Sequence, residues 1–179
     1  MIKGAKVTLR LIEEADLDVL HRYLCDIENR GPYFPGTIRS LTELRARFLK
    51  DGFWSPQEGT MVIVDGGGRV VGWILSFRPH PELDACEIAY VVFDKASRNK
   101  GYATEALSLF LRFVFRTTPA HRIELNIATD NIASRRVAEK CGFACEGVSR
   151  QVWFSTALGR YLDGARYAIL RSQVDLESH

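Results

Sequence analysis

A chain of 179 residues with 46% hydrophobic and 26% charged residues has the balance of an ordinary globular protein, which excludes a disordered tail or a collagen-like rod. The length suits a single domain over residues 1–179, one able to bury roughly 70% of the surface that its unfolded form exposes. Twenty-four Lys and Arg against twenty-two Asp and Glu leave a formal charge of +2, too little for a protein that grips nucleic acid through many phosphate contacts.

Val7–Leu11 alternates like a half-buried strand, and from Glu14 onward Leu17, Leu20, Leu24 and Ile27 fall on one helical stripe. Residues 30–36 are rich in glycine, proline and aromatics and form a loop. Ser40 and Glu43 make a capping box for a helix to about Lys50, with Leu41, Leu44 and Phe48 as its buried stripe. Thr60–Val64 and Val70–Phe77 are β-branched runs joined by Asp65-Gly66-Gly67-Gly68, which predicts an antiparallel hairpin. No helix follows those glycines, so they lack the helix N-terminus that a phosphate-cradling loop needs.

Cys86–Phe93 is the third strand of this block, and after a turn Ala103, Ala106, Leu107, Phe110, Phe113 and Val114 mark an amphipathic helix to about Arg116. A strand at Ile123–Ala128 and a helix from about Asn131 to Lys140 follow, with Gly142 placed as a left-handed stop. Two strands near Glu146–Phe154 and Tyr161–Leu170 close the chain through a turn region at Gly159–Asp163, Asp163-Gly164 itself being a turn signal. This is a mixed α/β pattern of seven strands with a βαβαβ stretch in its second half.

No apolar run has signal-peptide length or the roughly 18 residues of a membrane span, so a cytoplasmic protein that touches no membrane is expected. Cys25, Cys86, Cys141 and Cys145 are expected to be reduced, because a core of this size needs no staples. Cys141 and Cys145 lack a second Cys or His pair, which argues against zinc or any other metal. His21 and His121 are surface or packing residues on the same ground. Arg135-Arg136 suits a solvated helix face or contact with nucleotide phosphates, and Tyr33, Phe34, Phe53, Trp54 and Trp153 suit either an acceptor pocket or packing.

Residues 98–104 suit either a strand-to-helix turn with solvated basic residues or an anion site. A strand ends, glycine and small residues turn the backbone, and a helix begins, which aims several unpaired N–H groups and a helix dipole at one spot suited to pyrophosphate. Gly101 lets an anion approach the main chain, Ala103 does not cover it, and Arg98 and Lys100 add charge. Around this loop stand Glu87-Ile88-Ala89-Tyr90, then Asn131-x-x-Ser134 at the next strand-to-helix junction, then Lys140-Cys141-Gly142-Phe143.

The order E-I-A-Y, R-N-K-G-Y-A-T-E-A-L, N-x-A-S-R-R-V-A-E-K-C-G-F, E-G-V-S-R and G-R-Y-L-D resembles the GNAT superfamily of acyl-CoA-dependent N-acyltransferases, and within it the RimJ/RimL-like branch. The resemblance implies a mostly antiparallel seven-stranded mixed sheet with one splayed parallel pair, flanked by helices on both faces. It implies acetyl-CoA as co-substrate, with its pyrophosphate on Arg98, Asn99, Lys100, Gly101, Tyr102, Ala103 and Thr104. Backbone groups of Val91 and Phe93 would pair with the pantetheine amides, and the side chains of Asn131 and Ser134 would reach the pantetheine arm and the sulfur. The chain departs from many relatives at Ala103, where they carry glycine, and at Ala138, where relatives outside the branch place a tyrosine acid.

Acetyl transfer needs a neutral amine, a polarised thioester, a proton acceptor and help for the departing thiolate. Glu87 is a carboxylate in an otherwise apolar strand, and burial would raise its pKa toward the range where a base works, although a structural pairing with an arginine suits the position too. Ser134 lies in the first turn of its helix, where a capping hydroxyl is the alternative to a role at the thiol. The expected activity is therefore direct acetyl transfer to a primary amine, a peptide N-terminus or a small molecule, by a monomer or homodimer. A CoA-binding sensor or scaffold without turnover is the alternative, and it would need only the 98–104 loop.

Overall fold

The computed structural model describes residues 1–26, 31–34, 38–79 and 85–176. Its strands are β1 (Ile2–Lys3), β2 (Val7–Leu11), β3 (Glu58–Asp65), β4 (Val70–Phe77), β5 (Ala85–Val92), β6 (Arg122–Ala128), β7 (Ala144–Ser155) and β8 (Arg160–Leu170). They form one sheet in the order β1-β2-β3-β4-β5-β6-β8-β7. Only β5 and β6 run parallel. The sheet thus has eight strands and not seven: β1 is a two-residue strand held by its pairing with Leu9 and Thr8, too short to leave a periodicity.

The helices are α1 (Leu17–Cys25), α2 (Leu41–Asp51), α3 (Tyr102–Thr117) and α4 (Ile132–Lys140). Leu17, Leu20 and Leu24 of α1 and Leu44 of α2 pack with Val62, Val64, Val70 and Phe93 on one face of the sheet. Ala106, Leu107, Phe110 and Val114 of α3 and Ala138 of α4 pack with Leu9, Ile63, Ile88, Ile123 and Ile127 on the other. Ile27, the fourth member of the first stripe, lies outside the described residues. Ser40 Oγ accepts from the Glu43 N–H at 3.1 Å as the N-cap of α2, while the Glu43 carboxylate turns to Arg39 and leaves the reciprocal half of the box unmade.

Asp163-Gly164 is not a turn. β8 already begins at Arg160, and Asp163 lies opposite an irregularity in β7 between Ser149 and Trp153. Gln151 there takes φ 54°, and its N–H donates to Asp163 Oδ1 at 2.8 Å. The carboxylate that looks like a turn former in sequence fixes a bulge in the neighbouring strand.

At Gly72 the space belongs to a neighbour: a Cβ would run into the backbone carbonyl of Val91 and come within 3.2 Å of Ile63 Cδ1. Gly72→Ala is expected to destabilise the fold by about 1–3 kcal/mol, because the obstruction is main chain in a central strand and cannot step aside. Denaturant unfolding checks this, with a lower midpoint at unchanged slope as the expected result.

Candidate active site

The site begins where pairing ends. β5 and β6 are in register only at Ala85 with Arg122, Cys86 with Ile123 and Glu87 with Glu124, and beyond Glu87 they diverge. The Phe93 N–H donates to the Val71 carbonyl at 2.9 Å, and the Val91 carbonyl also faces β4. Antiparallel alternation then turns the backbone groups of odd-numbered residues of β5 toward β4 and those of Ile88, Tyr90 and Val92 toward the gap. The Phe93 N–H and the Val91 carbonyl thus turn to β4, and the Phe93 carbonyl accepts from Arg98 Nη2 at 3.0 Å, which differs from the pantetheine pairing that the resemblance implies for these two residues. Composition cannot fix which parity faces a gap; only the register with β4 does.

The loop after β5 winds through two left-handed residues, Asn99 at φ 62° and Gly101 at φ 83°. Gly101 is the N-cap of α3 and offers no side chain, so the N–H groups of Tyr102, Ala103 and Thr104 open onto the loop. In α4, by contrast, Asn131 Oδ1 caps the helix by accepting the Ser134 N–H at 3.2 Å. Arg98 also donates from Nε to the Val92 carbonyl at 3.3 Å, stapling the loop to the end of β5.

Sequence reasoning missed what lies over this loop. Glu105, in the first turn of α3, accepts the N–H groups of Ala5, Lys6 and Val7 at 2.9, 2.7 and 2.7 Å. That clasp brings Lys6 to Gly101: its Nζ donates to the Lys100 carbonyl at 3.2 Å and stands 2.9 Å from where a Cβ on residue 101 would be. Beside it opens a cleft of about 680 Å³ whose lining includes Lys3, Lys6, Arg112 and Lys140. A cationic cleft continuous with open helix N–H groups fits a ligand bearing several phosphates. No single motif encodes it, since the four cations come from three separate segments.

Glu87 and Ser134 stand on opposite faces of the sheet. Glu87 shares its face with Glu124 and Asn126, and the Asn126 side-chain amide donates to Glu87 Oε2 at 2.9 Å. Burial pushes the Glu87 carboxyl above its ordinary range and the Glu124 charge adds to this, against the Asn126 hydrogen bond and the Arg166 charge. On the other face the Tyr90 hydroxyl lies 2.8 Å from Ser134 Oγ. Burial raises the Tyr90 phenol well above its ordinary value, so it stays protonated. Ser134 is therefore not a capping hydroxyl, and Asn131 spends its side-chain oxygen on the helix.

The remaining candidates divide cleanly. Arg135 ties α4 to the Tyr167 hydroxyl at 3.0 Å and to the Thr129 carbonyl at 3.2 Å. Phe53 is core, and Trp54 packs on Phe113, whereas Tyr33, Phe34 and Trp153 lie around the Glu87 face. All four cysteines are free. Burial pushes the Cys141 thiol up to about 11 and raises Cys86, which suits neither to act as a nucleophile.

The Acetyltransferase (GNAT) domain family matches residues 6–144. The chain belongs to the GNAT acetyltransferase family. It is 32% identical over 165 residues to the probable N-acetyltransferase YjcK of Bacillus subtilis, covering 84% of this chain and 87% of that one. It is 25% identical over 170 residues to the spermidine N(1)-acetyltransferase of Vibrio cholerae, covering 95% and 96%. Among solved structures, the GNAT acetyltransferase of Bacillus anthracis aligns with TM-score 0.78 at 27% identity, covering 96% of this chain and 98% of that one. The spermidine N-acetyltransferase of Vibrio cholerae in complex with CoA and spermine aligns with TM-score 0.82 at 24% identity, covering 95% and 98%. The chain is an N-acetyltransferase with acetyl-CoA as co-substrate, and the loop at Gly101 with its cationic cleft fits the phosphates of that molecule.

Gly101→Trp is expected to weaken acetyl-CoA at least tenfold in calorimetry while circular dichroism stays native, since the side chain would occupy the anion's approach; equal affinity would contradict the assignment. Lys6→Ala and Arg112→Ala should weaken CoA more than dephospho-CoA, and the loss should shrink at high salt.

Proposed function

We propose that the enzyme moves an acetyl group from acetyl-CoA to a primary amine by direct attack, with Glu87 as the base. The observation that carries this reading is the position of Glu87, the last residue of β5 still paired with β6, where the gap for an extended cofactor arm closes. One carboxylate oxygen is held by Asn126, which leaves Oε1 for the amine or for a water that relays its proton. A carboxyl raised by burial is a better base near neutral pH than an ordinary glutamate.

Departure of the thiolate falls to Ser134 and Tyr90. A thiol pKa of about 8.5 means the thiolate needs a hydrogen-bond donor more than a strong acid. The Tyr90 hydroxyl lies 2.8 Å from Ser134 Oγ and 3.2 Å from the Ser134 carbonyl, and when its proton turns from the carbonyl to Oγ the serine is free to donate onward. This pair does the work assigned in other GNAT sequences to a tyrosine where this chain has Ala138. The motif order supports placement in the RimJ/RimL-like branch of a cytoplasmic enzyme, and among relatives one is a spermidine acetyltransferase, so both peptide and small-molecule amines belong in a first screen.

Glu87→Gln should lower kcat by 10²–10⁴ with acetyl-CoA affinity little changed, which steady-state kinetics and calorimetry separate. In the wild type kcat/KM should rise with pH through the elevated Glu87 pKa, and the variant should lose that limb. Because the folded pKa is raised, the favourable protonated form is lost as pH climbs from the unfolded value through the folded one. At pH 7 the variant should therefore be at least as stable as the wild type, and wild-type turnover in it would make Glu87 structural.

Ser134→Ala and Tyr90→Phe should each lower kcat more than they raise the KM for acetyl-CoA, with the deficit shrinking at high pH as the thiolate becomes the stable product. A stability loss without a change in turnover per folded molecule would remove the pair from the mechanism.

A further inference from the structure

On the face that carries Glu87, the register sets two neighbouring rows of side chains, Glu87 with Glu124 and Ala168, and two residues further along Asn126 of β6 with Arg166 of β8. α1 and α2 cover the β2 to β5 side of this face, so the rows lie in a trough that opens beyond them. One wall is Trp153, which the bulge at Gln151 delivers onto Gly164, where a Cβ would meet the indole at 2.8 Å. Opposite it Phe34 stacks on Trp73 with ring centroids 6.4 Å apart, and Tyr33 reaches across to donate to the Asp130 carbonyl at 3.1 Å.

Among the described residues most carboxylates of this face are paired, whereas Arg166 is not. Glu124 and Glu146 both pair with Arg122, Asp130 pairs with Arg160, and Asp163 is engaged by the bulge. Among the described residues no hydrogen bond and no ion pair within 4.0 Å holds the exposed Arg166 guanidinium, although its charge is felt at both Glu87 and Glu146. A polyamine would need carboxylates for its further ammonium groups, and among the described residues Glu124, Glu146 and Asp130 are already held in ion pairs. An acceptor with a negative group would find a guanidinium fork ready for it.

We propose that Arg166 binds a carboxylate on the acceptor, so that the substrate is an amine that also carries a carboxylate, of amino-acid to dipeptide size. β5 and β8 are two strand spacings apart, about 10 Å between backbones, and Arg166 lies two residues, about 7 Å, along β8 from the position level with Glu87. The Glu87 and Arg166 side chains shorten that span, leaving room for an amine and a carboxylate separated by a few bonds. The aromatic walls suit the apolar part of such a molecule. This inference rests on Glu87 marking the acceptor side of the cleft.

The test is steady-state kinetics of the full chain against the common amino acids and alanine-headed dipeptides, each beside its C-terminal amide, with spermidine as the polycation. At least one free acid should exceed both its amide and spermidine tenfold in kcat/KM. Arg166→Ala should raise the KM for that acid at least tenfold with kcat within twofold, bring the ratio of acid to amide near one, and leave acetyl-CoA affinity unchanged by calorimetry. Arg166→Lys should recover part of the preference, since it restores charge without the fork. Preference for an amide or for spermidine, acetylation of none of the panel, or an equal effect of Arg166→Ala on acid and amide would overturn the proposal. Failure of the underlying reading has a different signature, namely full turnover in Glu87→Gln.

Discussion

An interrupted pairing in the middle of the sheet governs the molecule. β5 and β6 share three residue pairs and then part, so that the backbone of Ile88 and Tyr90 faces a gap with no neighbouring strand, while Arg98 takes the Val92 carbonyl. Buried backbone groups are costly when unpaired. The fold holds the gap open by packing β5 firmly on β4 and β6 firmly on β8, each pair antiparallel and continuous through the diverging region. An extended arm bearing amides, such as the pantetheine of CoA, is the natural occupant of a space shaped for a missing strand.

Alternation along the strands then sorts the chemistry. Glu87 is odd-numbered in β5 and Tyr90 even-numbered, so one faces the trough and the other faces α4. The Glu87 carboxylate with Asn126 and the Tyr90 hydroxyl with Ser134 are thereby kept on opposite faces of the sheet. Their surroundings tune them differently. Burial against α4 keeps the Tyr90 phenol protonated, while burial and the Glu124 charge raise the Glu87 carboxyl against the pull of Asn126 and Arg166.

The cofactor end depends on a contact far away in sequence. Glu105 gathers the N–H groups of residues 5 to 7 and so carries Lys6 to the open helix start, where cation and N–H groups together fit phosphate. The carboxylate is placed at a helix N-terminus, where the dipole favours it, and its acceptor capacity is filled by backbone donors. A cation and the open N–H groups are thus held together by a negative residue that never needs to touch the ligand.

Much of this was fixed by sequence alone. Hydrophobic periodicity placed the four helices and seven strands, and the loop at residues 98–104, with its glycine and its small residues before a helical stripe, marked an uncapped helix start. These are local properties, because period, capping and glycine conformation act within a few residues. What depends on partners distant in the chain came only with the tertiary structure. Register with β4 decided that even-numbered residues of β5 face the gap, and β2 made a strand of Ile2–Lys3. Packing against α4 turned Tyr90 into a partner of Ser134, and a bulge in β7 made a strand residue of the apparent turn former Asp163. Asn126, Lys6 and Arg166 carry no motif, and their roles arise from the neighbours that strand pairing and helix packing bring to them.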